Sequence, residues 1–420
     1  MPHWSIGSRV AFRFSFVYFG LYCFATQIFV ALFPIPKVDI PDPGSLWPMR
    51  EIVLWVGAHI LRLAQPLSYI DTGSGDKAFD WVLALCMVVI SATATGIWSI
   101  LDRKRANYVT LYKWLLLFIR IALAGQMLCY GMSKAIPTQM PFPHLTTLLM
   151  PFGNLSLQGV LWTSIGASPA YEVFAGCAEL LAGILLLFPR TAMLGALICL
   201  ADMIQVFMLN MTYDVPVKLL SFHLILLSLF LLVPEFQRLA DFFLRNRTVG
   251  PSSQPQLFSA PRASRIAFAV QIFICIWLLG MNAWSVWAEW NTYSGGRTKS
   301  PLYGIWNVEE FSSDGQLRSP LLTDRERWRR AVFDSPEFLT IQRMDGSFGG
   351  YGASIDVNGN TVALTKGGDK NWKANFIFQR VAQDQLILDG NLDSHKVHMR
   401  LRLLDRNMFP IVSRRFHWIR

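Results

Sequence analysis

The sequence predicts an α-helical membrane protein with about seven transmembrane helices, followed by a soluble antiparallel β-barrel domain at the C-terminus. Of its 420 residues, 53% are hydrophobic and only 16% are charged, a composition unlike that of soluble domains. The long apolar runs stop near Trp290, and from residue 301 onward polar and apolar residues alternate. The chain therefore consists of a membrane part and a soluble part.

Apolar runs long enough to cross a bilayer are the predicted helices. About 20 residues, at a rise of about 1.5 Å each, span a hydrocarbon core of about 30 Å. Seven runs approach this length: residues 11–33, 79–101, 114–135, 171–188, 191–211, 216–233 and 266–288. Segment 46–65 is interrupted by Arg50, Glu51 and Arg62, so we interpret it as an amphipathic or re-entrant helix on the outer face.

Lys and Arg in the connections predict the orientation, because basic residues are retained on the cytoplasmic side. They occur in alternate connections, at residues 9–13, 103–113, 190 and 238–265. This predicts a cytoplasmic N-terminus and, after an odd number of crossings, an extracytoplasmic β-domain. We expect a bacterial inner membrane protein with a periplasmic C-terminal domain. The same distribution accounts for the net charge of +10, so nucleic acid is not an expected partner.

These predictions divide the chain into four parts. Residues 1–113 contain two helices and the outer-face segment, residues 114–243 a four-helix core, residues 244–290 a cytoplasmic loop and the seventh helix, and residues 301–420 the β-domain. A ten-residue linker, NTYSGGRTKS, precedes the β-domain. Its Gly and Ser content is typical of flexible connections.

Residues 301–420 are predicted to form a barrel of about eight strands. Eight segments alternate apolar and polar residues as half-buried strands do: YGIWNVEEF, EFLTIQR, YGASIDV, TVALTK, WKANFIFQR, LILDG, VHMRLRLL and FPIVSRRFHWI. Turn residues at Asp345, Asn358 and Gly367 separate some of them. We predict one helix, in TDRERWRRAVF from Thr323. The domain contains no cysteine, so disulfides do not hold it together.

Ionisable side chains inside membrane helices cost about 2.5 kcal/mol or more each, so those that occur here are candidate functional residues. They concentrate in the third to sixth predicted helices. We predict Glu179, His223 and Lys218 as catalytic residues. The predicted ligand-binding residues are Arg120, Gln126, Tyr130, Lys134, Glu172, Asp202 and Asp214. Spacings of four and seven residues place several of them on shared helix faces.

Two interpretations of these polar residues remain open. In the first, they line an outward-facing pocket in which Glu179 and His223 move protons, while Lys134 and Lys218 hold an anionic or carbonyl-bearing ligand. In the second, they are buried pairs, Arg120 with Glu179 or Lys218 with Asp214, that stabilise the helix bundle. No metal is expected in either, because metal-ligand spacings are absent from the sequence.

Short motifs within residues 114–243 resemble the DoxX-like membrane family. They are YGMSKAI, AELLAGILLLFPRT and NMTYDVPVKLLSFHLILLSLFLLVPEFQRL. The family has an early Arg, a Gly-x-x-Lys ending that helix, and a Glu beginning a Gly-containing second helix. Arg120, Lys134 and Glu179 match these positions.

The DoxX-like resemblance implies a function as well as a four-helix core. Some members are similar to membrane subunits of thiosulfate:quinone oxidoreductases, and others are associated with thiol and oxidative-stress complexes. The resemblance therefore implies a quinone-linked oxidoreductase subunit with a redox partner protein. A quinone in the bundle would have its carbonyl bonded by His223, Lys218 or Arg120. Whether the protein is an enzyme at all stays open at this point.

Two further resemblances concern the ends of the chain. LYGIWNVEEF contains Gly304 and Trp306, which is similar to the Gly-x-Trp opening strand of lipocalin-like barrels. The first two helices look distantly like the HTTM and vitamin K-dependent carboxylase group. These features support an alternative function, namely a non-enzymatic carrier, assembly factor or scaffold. In that case the exported barrel would bind a lipid or a protein partner.

Overall fold

The computed structural model describes residues 4–35, 37–67, 69, 74–251, 260–414 and 418. It divides into two compact units. The first, Met1–Met140 with Pro169–Glu289, is helical, and the second, Pro141–Ser168 with Trp290–Arg420, contains the β-sheet. The prediction of several long apolar helices followed by a C-terminal barrel is confirmed at this level.

Long helices make up most of the helical unit. They are α1 (Ile6–Ala25), α2 (Ala78–Leu101), α3 (Val109–Ala135), α4 (Pro169–Leu187), α5 (Ala192–Thr212), α6 (Lys218–Leu232) and α7 (Pro261–Tyr293). A 3-10 turn and a short helix, Phe236–Phe243, continue α6. Within the described ranges, six segments are long and apolar enough to span a membrane, namely α2 to α5, Lys218–Phe243 and α7.

Helix α1 differs from the predicted run 11–33. It begins five residues earlier and ends at Ala25, because Thr26 takes an extended conformation with φ −113° and ψ 174°. A separate four-residue helix, Gln27–Val30, follows. Arg9 and Arg13 lie inside α1, which explains why this helix is not among the six most apolar segments.

Segment 46–65 forms two short consecutive helices. Met49–Trp55 has seven residues, and Val56–Ile60, which has the wider π geometry, has five. Together they fall short of the about 20 residues that a span requires. Val53 is buried, whereas the exposed side carries charged Arg50 and Glu51 together with apolar Ile52 and Trp55.

The β-sheet of the second unit closes into an antiparallel barrel. Its strands are β1 (Gly304–Ser313), β2 (Gln316–Leu317), β3 (Trp328–Ser335), β4 (Phe338–Arg343), β5 (Phe348–Asp356), β6 (Thr361–Lys366), β7 (Asp369–Ala382), β8 (Gln385–Leu392) and β9 (His395–Leu403). Each of β3 to β8 pairs with the next strand, and β1 pairs with both β3 and β9. Eight strands close the barrel, while the two-residue β2 pairs only with the end of β1.

Large side chains of the barrel's own strands fill its interior. Trp306 is 0% exposed, and Phe311, Phe333, Phe376 and Met399 are also buried in the same core. The indole Nε1 of Trp306 donates a 2.9 Å hydrogen bond to the carbonyl of Leu302. The structure thus places the Trp of the Gly-x-Trp motif inside the barrel as a packing residue.

Two predictions for the barrel were wrong. The segment TDRERWRRAVF is not helical, because Trp328, Ala331 and Phe333 are needed in the core and extend as β3 between β1 and β4. The closing segment FPIVSRRFHWI supplies no strand among its described residues, and Pro410–Ser413 forms a short helix. Strand β9 already pairs with β1, so no open edge is left for another strand there.

The connection between α3 and α4 belongs to the barrel unit rather than to the predicted core 114–243. Its helix Leu145–Leu149 buries Leu145 against Ile305 and Val332. His144 Nδ1 lies 3.1 Å from one carboxylate oxygen of Asp334, and Arg297 donates to the other at 2.7 Å. Apolar burial and these polar contacts together hold the connection on the barrel.

Candidate functional site

Glycines bring α3 and α4 into backbone contact. A Cβ atom on Gly176 would lie 2.3 Å from the amide nitrogen of Ala135, and one on Gly131 would lie 2.8 Å from that of Leu180. Side chains larger than hydrogen would therefore push the helices apart. Small residues at such crossings are typical of membrane helix pairs.

This close packing buries an ion pair between the two helices. Lys134 Nζ donates a hydrogen bond to Glu179 Oε1, and the two residues are only 8% and 1% exposed. The sequence suggested Arg120 as a partner of Glu179, but the structure pairs Glu179 with Lys134. Arg120 lies fourteen residues before Lys134, which is about 21 Å along the helix. The Gly-x-x-Lys pattern therefore positions the cation of the site.

Several buried polar atoms on three consecutive helices have no hydrogen-bond partner. Eight such side-chain atoms occur in the described part of the chain, and five of them belong to predicted site residues: Arg120 Nε, Gln126 Oε1, Glu172 Oε2, Glu179 Oε2 and Asp202 Oδ2. All five residues lie on α3, α4 or α5. Buried polar groups are normally satisfied, so this concentration marks these three helices as a polar region whose hydrogen bonds the protein itself does not complete.

The other oxygen of Glu172 is held by the backbone just beyond α3. Glu172 Oε1 accepts a 2.9 Å hydrogen bond from the amide of Met140. Gln139, the residue before Met140, also has a buried Oε1 without a partner. Sequence reasoning missed Gln139, because it lies after the end of α3 and outside every apolar run. Its position five residues after Lys134 was the one available signal.

Lys134 is the common neighbour of three carboxylates. It pairs with Glu179, and it also interacts electrostatically with Glu172 and Asp202. Asp202 interacts with Glu179 as well. One ammonium group cannot neutralise three carboxylates, so this cluster favours an additional proton, cation or hydrogen-bond donor. We call Lys134, Glu172, Glu179 and Asp202 the α3–α5 cluster.

Tyr130 and Gln126 lie on α3 with Lys134. The Tyr130 hydroxyl accepts a 2.9 Å hydrogen bond from Gln27 Nε2, and Lys134 Nζ lies 6.0 Å from the centre of the Tyr130 ring. Gln126 is buried. The predicted polar stripe on α3 is therefore turned inward, away from the surface of the helical unit.

His223 occupies a separate, fully satisfied environment. Its Nδ1 lies 2.7 Å from the carbonyl of Leu219, which can only accept, so Nδ1 carries the proton. Nε2 then accepts the 2.7 Å hydrogen bond from the Tyr18 hydroxyl, and the Tyr22 ring stacks on the imidazole at 3.6 Å. None of these contacts involves the α3–α5 cluster. The structure therefore does not join His223 to Glu179.

Lys218 lies at the N-terminus of α6 and is engaged there by carboxylates. Its Nζ donates to Asp214 at 2.8 Å, which is the pair that the second interpretation of the sequence contains. Asp76 accepts hydrogen bonds from the backbone amides of Lys218 and Leu219 at 2.7 and 2.8 Å. This carboxylate caps the first turn of α6, where negative charge is stabilising. Sequence reasoning missed Asp76, because its partners are 142 and 143 residues away.

A cavity of about 50 Å³ lies elsewhere in the helical unit. Its lining includes Tyr22, Gln27, Asp42, Asp80 and Leu219, and none of the ten predicted site residues. It has room for a few waters and is far smaller than the roughly 300 Å³ of a typical ligand pocket. Two of its lining residues contact predicted site residues: Tyr22 stacks on His223, and Gln27 donates a hydrogen bond to Tyr130.

Comparison with known proteins identifies one related sequence region. No family model matches the chain, and no solved structure matches it. The uncharacterized protein YwoB of Bacillus subtilis (strain 168) is 33% identical over 124 residues, which cover 30% of this chain and 79% of YwoB. Through this region the chain belongs to the same family as YwoB.

Proposed function

We propose that the helical unit is embedded in a bacterial inner membrane through seven crossings, with the N-terminus in the cytoplasm and the barrel outside. Six segments have the required length and apolar character. The seventh crossing is α1, whose 20 residues extend about 30 Å. The basic residues of alternate connections support this orientation. Fusion of a periplasmically active reporter after Arg420 tests it. An inactive fusion, together with activity of a cytoplasmically active reporter fused at the same position, would contradict it.

Within this unit, the α3–α5 cluster binds a small hydrogen-bonding molecule. The observation that carries this proposal is the concentration of unpartnered buried polar atoms on α3, α4 and α5. Each such atom costs about 1–3 kcal/mol, so a bundle held together only by packing would gain stability by losing them. A bound molecule that completes their hydrogen bonds offsets this cost.

The chemistry of the ligand follows from its surroundings. Asp202 is only partly buried, and Ile204 and Met208 on the same helix are exposed. In a membrane these exposed side chains face lipid, and Asp202 is the least buried member of the cluster, so we expect the ligand to enter from the bilayer beside Asp202. The DoxX-like resemblance of residues 114–243 agrees with a quinone-like ligand. In this proposal Glu179 is the proton acceptor, and Lys134 fixes its position through their hydrogen bond. Asp202 lies on the side from which the ligand enters.

An oxidoreductase activity would require more than this cluster. If the bound molecule is a quinone that changes its redox state, the protein acts as a quinone-linked subunit and needs a redox partner protein for the electrons. His223 and Lys218 then support the helix bundle near the small cavity and do not contact the reacting groups. Arg120 and Gln126 extend the polar interior towards the cytoplasmic end of α3.

Ligand binding is testable on the full chain. The protein is purified in mild detergent, its bound lipids are extracted, and quinones are quantified by mass spectrometry against an unrelated membrane protein. A Glu179→Gln variant should retain at most about a tenth of the bound ligand, quinone and quinol counted together, because its amide no longer offers the carboxylate that accepts a charge-assisted hydrogen bond of about 1.5–3 kcal/mol. Glu289→Gln, on the exposed surface of α7, is the matched control. Equal quinone content in both variants would refute the assignment.

A second candidate function concerns the barrel, which then serves as a carrier, assembly factor or scaffold domain. Its filled interior argues against a lipid held inside. Its outer surface is better suited, because β2 exposes Leu317 and the loop after it exposes Leu321 and Leu322. Buried Arg327 fixes the conformation of this loop, because its guanidinium donates hydrogen bonds to the carbonyls of Arg318 and Val308. A rigid loop with exposed leucines is typical of a protein-binding surface.

Cross-linking in cells tests this second function. A photoreactive residue at position 321 should yield a defined adduct, whereas one at Val381, which is 63% exposed on β7, should not. Identical adducts from both positions would show that the leucine loop has no specific partner.

A further inference from the structure

The unpartnered atoms around the ion pair are nearly all hydrogen-bond acceptors. Glu172, Glu179 and Asp202 each present one free carboxylate oxygen, and Gln126 and Gln139 each present a free amide oxygen. The ammonium group of Lys134, the nearest donor, gives one of its three N–H groups to Glu179, and the acceptors still outnumber the donors that it has left. Arg120 Nε is the remaining unpartnered donor on these helices, and it lies about 21 Å away from Lys134 along α3.

Burial makes these acceptors costly unless a donor reaches them. Glu172 and Glu179 are each 1% exposed, and Gln126 is 2% exposed, so bulk water does not supply the missing hydrogen bonds. An ionised carboxylate can only accept. An occupant that brings O–H or N–H groups therefore completes more of these hydrogen bonds than a molecule that offers only carbonyl oxygens.

The arrangement also argues against a single metal ion as the occupant. Among the residues that the structure describes, no three His, Cys, Asp or Glu side chains converge as metal ligands. The carboxylates are instead spread over two helices, with Glu172 and Glu179 about 10 Å apart along α4. A molecule with two separated donor groups suits carboxylates on two helices better than one ion does.

We propose that the α3–α5 cluster takes a lipid-soluble molecule through its hydroxyl groups, and that it therefore binds a hydroquinone more tightly than the corresponding quinone. This rests on the proposed function and adds the redox state of the ligand. One hydroxyl donates to Glu179 Oε2 and the other to Asp202 Oδ2, the free oxygens on the two sides of the cluster. The quinone lacks both protons and leaves these oxygens unpartnered.

The test uses the full chain in nanodiscs and three ligands of the same shape. Decylubiquinol, decylubiquinone and the dimethyl ether of decylubiquinol are titrated anaerobically, and dissociation constants are measured by quenching of tryptophan fluorescence. We expect the quinol to bind at least about 10-fold more tightly than the other two, since each lacks the O–H donors. The dimethyl ether keeps the aromatic ring of the quinol but lacks its O–H groups. It therefore distinguishes the loss of these donors from the change of an aromatic ring into a quinone ring.

Variants then show which residues cause the preference for the quinol over the quinone. Glu179→Gln and Asp202→Asn should each reduce the preference for the quinol, whereas Glu289→Gln should retain it. Tighter or equal binding of the quinone by the unmodified protein overturns this inference but leaves the proposed binding function intact. Absence of binding by all three ligands overturns both. Because the three-ligand comparison needs no substitution, poor folding of a variant does not affect its outcome.

Discussion

Replacing Gly176 by alanine should separate α3 from α4 and weaken the buried ion pair. The added Cβ would lie 2.3 Å from Ala135 N, 2.6 Å from the carbonyl oxygen of Gly131 and 2.8 Å from the carbonyl carbon of Lys134. All three are backbone atoms, so no side chain can rotate away. Ordinary contact begins at 3.4 Å, and the helices must therefore move apart by about 1 Å.

The cost of this movement follows from packing. Overpacking a well-packed interface costs about 1–3 kcal/mol, and a gap of about 1 Å forfeits up to half of the dispersion energy of the atoms that line it. Lys134 and Glu179 lie at this crossing, so their hydrogen bond lengthens too. We expect a loss of at least about 2 kcal/mol in the free energy of unfolding for Gly176→Ala.

Unfolding in mixed micelles by SDS titration, followed by circular dichroism, measures this loss. Gly96→Ala on α2 is the matched control, because its added Cβ meets nothing within 4 Å. That control should be neutral or should gain up to about 1 kcal/mol from helix propensity. If Gly176→Ala is as stable as Gly96→Ala, the close-contact explanation of the α3–α4 crossing is wrong.

Three further predictions concern the ion pair and the barrel. Lys134→Met should lower the free energy of unfolding in the SDS assay by about 3–5 kcal/mol, because it leaves Glu179 buried without its cation. Adding Glu179→Leu should recover most of that loss. A double variant that is no more stable than Lys134→Met contradicts this prediction. Trp306→Ala should cost about 3–5 kcal/mol of barrel stability by near-ultraviolet circular dichroism, whereas exposed Val381→Ala should change it by less than about 0.5 kcal/mol. Burial acts to raise the pKa of Asp334, but hydrogen bonds from His144 and Arg297 outweigh it and lower that pKa below its ordinary value. The carboxylate therefore stabilises the fold above about pH 4 and loses this contribution as the pH falls through the lowered pKa, so Asp334→Asn should flatten barrel stability between about pH 4 and pH 2.

Sequence pattern was sufficient for most of the barrel. Strands such as β6 and β9 alternate buried and more exposed residues, and this period of two is visible in the sequence. Strand β3 was missed, since WRRAVF contains three consecutive buried residues, Ala331 to Phe333, and two adjacent arginines. Such a segment lacks alternation, so only its pairing with β1 and β4 distinguishes it from a helix.

The sequence identified the individual residues of the site but not which of them lie in contact. Helical spacing placed Lys134 on the inner face of α3 and put Glu172 and Glu179 on one face of α4. It could not rank Arg120 against Lys134 as the partner of Glu179, because the choice depends on where α3 and α4 cross. Gly131 and Gly176 decide that crossing by allowing their backbones to touch.

The sequence by itself determined that the chain has long apolar helices and a C-terminal barrel, because hydrophobic length and period are local properties of the chain. It also identified the polar residues that are expensive to bury. Only the tertiary structure decided which of them meet: Lys134 joins Glu179, while His223 is enclosed by Tyr18 and Tyr22. Lys134 and Glu179 are 45 residues apart in sequence, and Tyr18 and His223 are 205 residues apart. Helix packing brings them together, and no local sequence pattern encodes that packing.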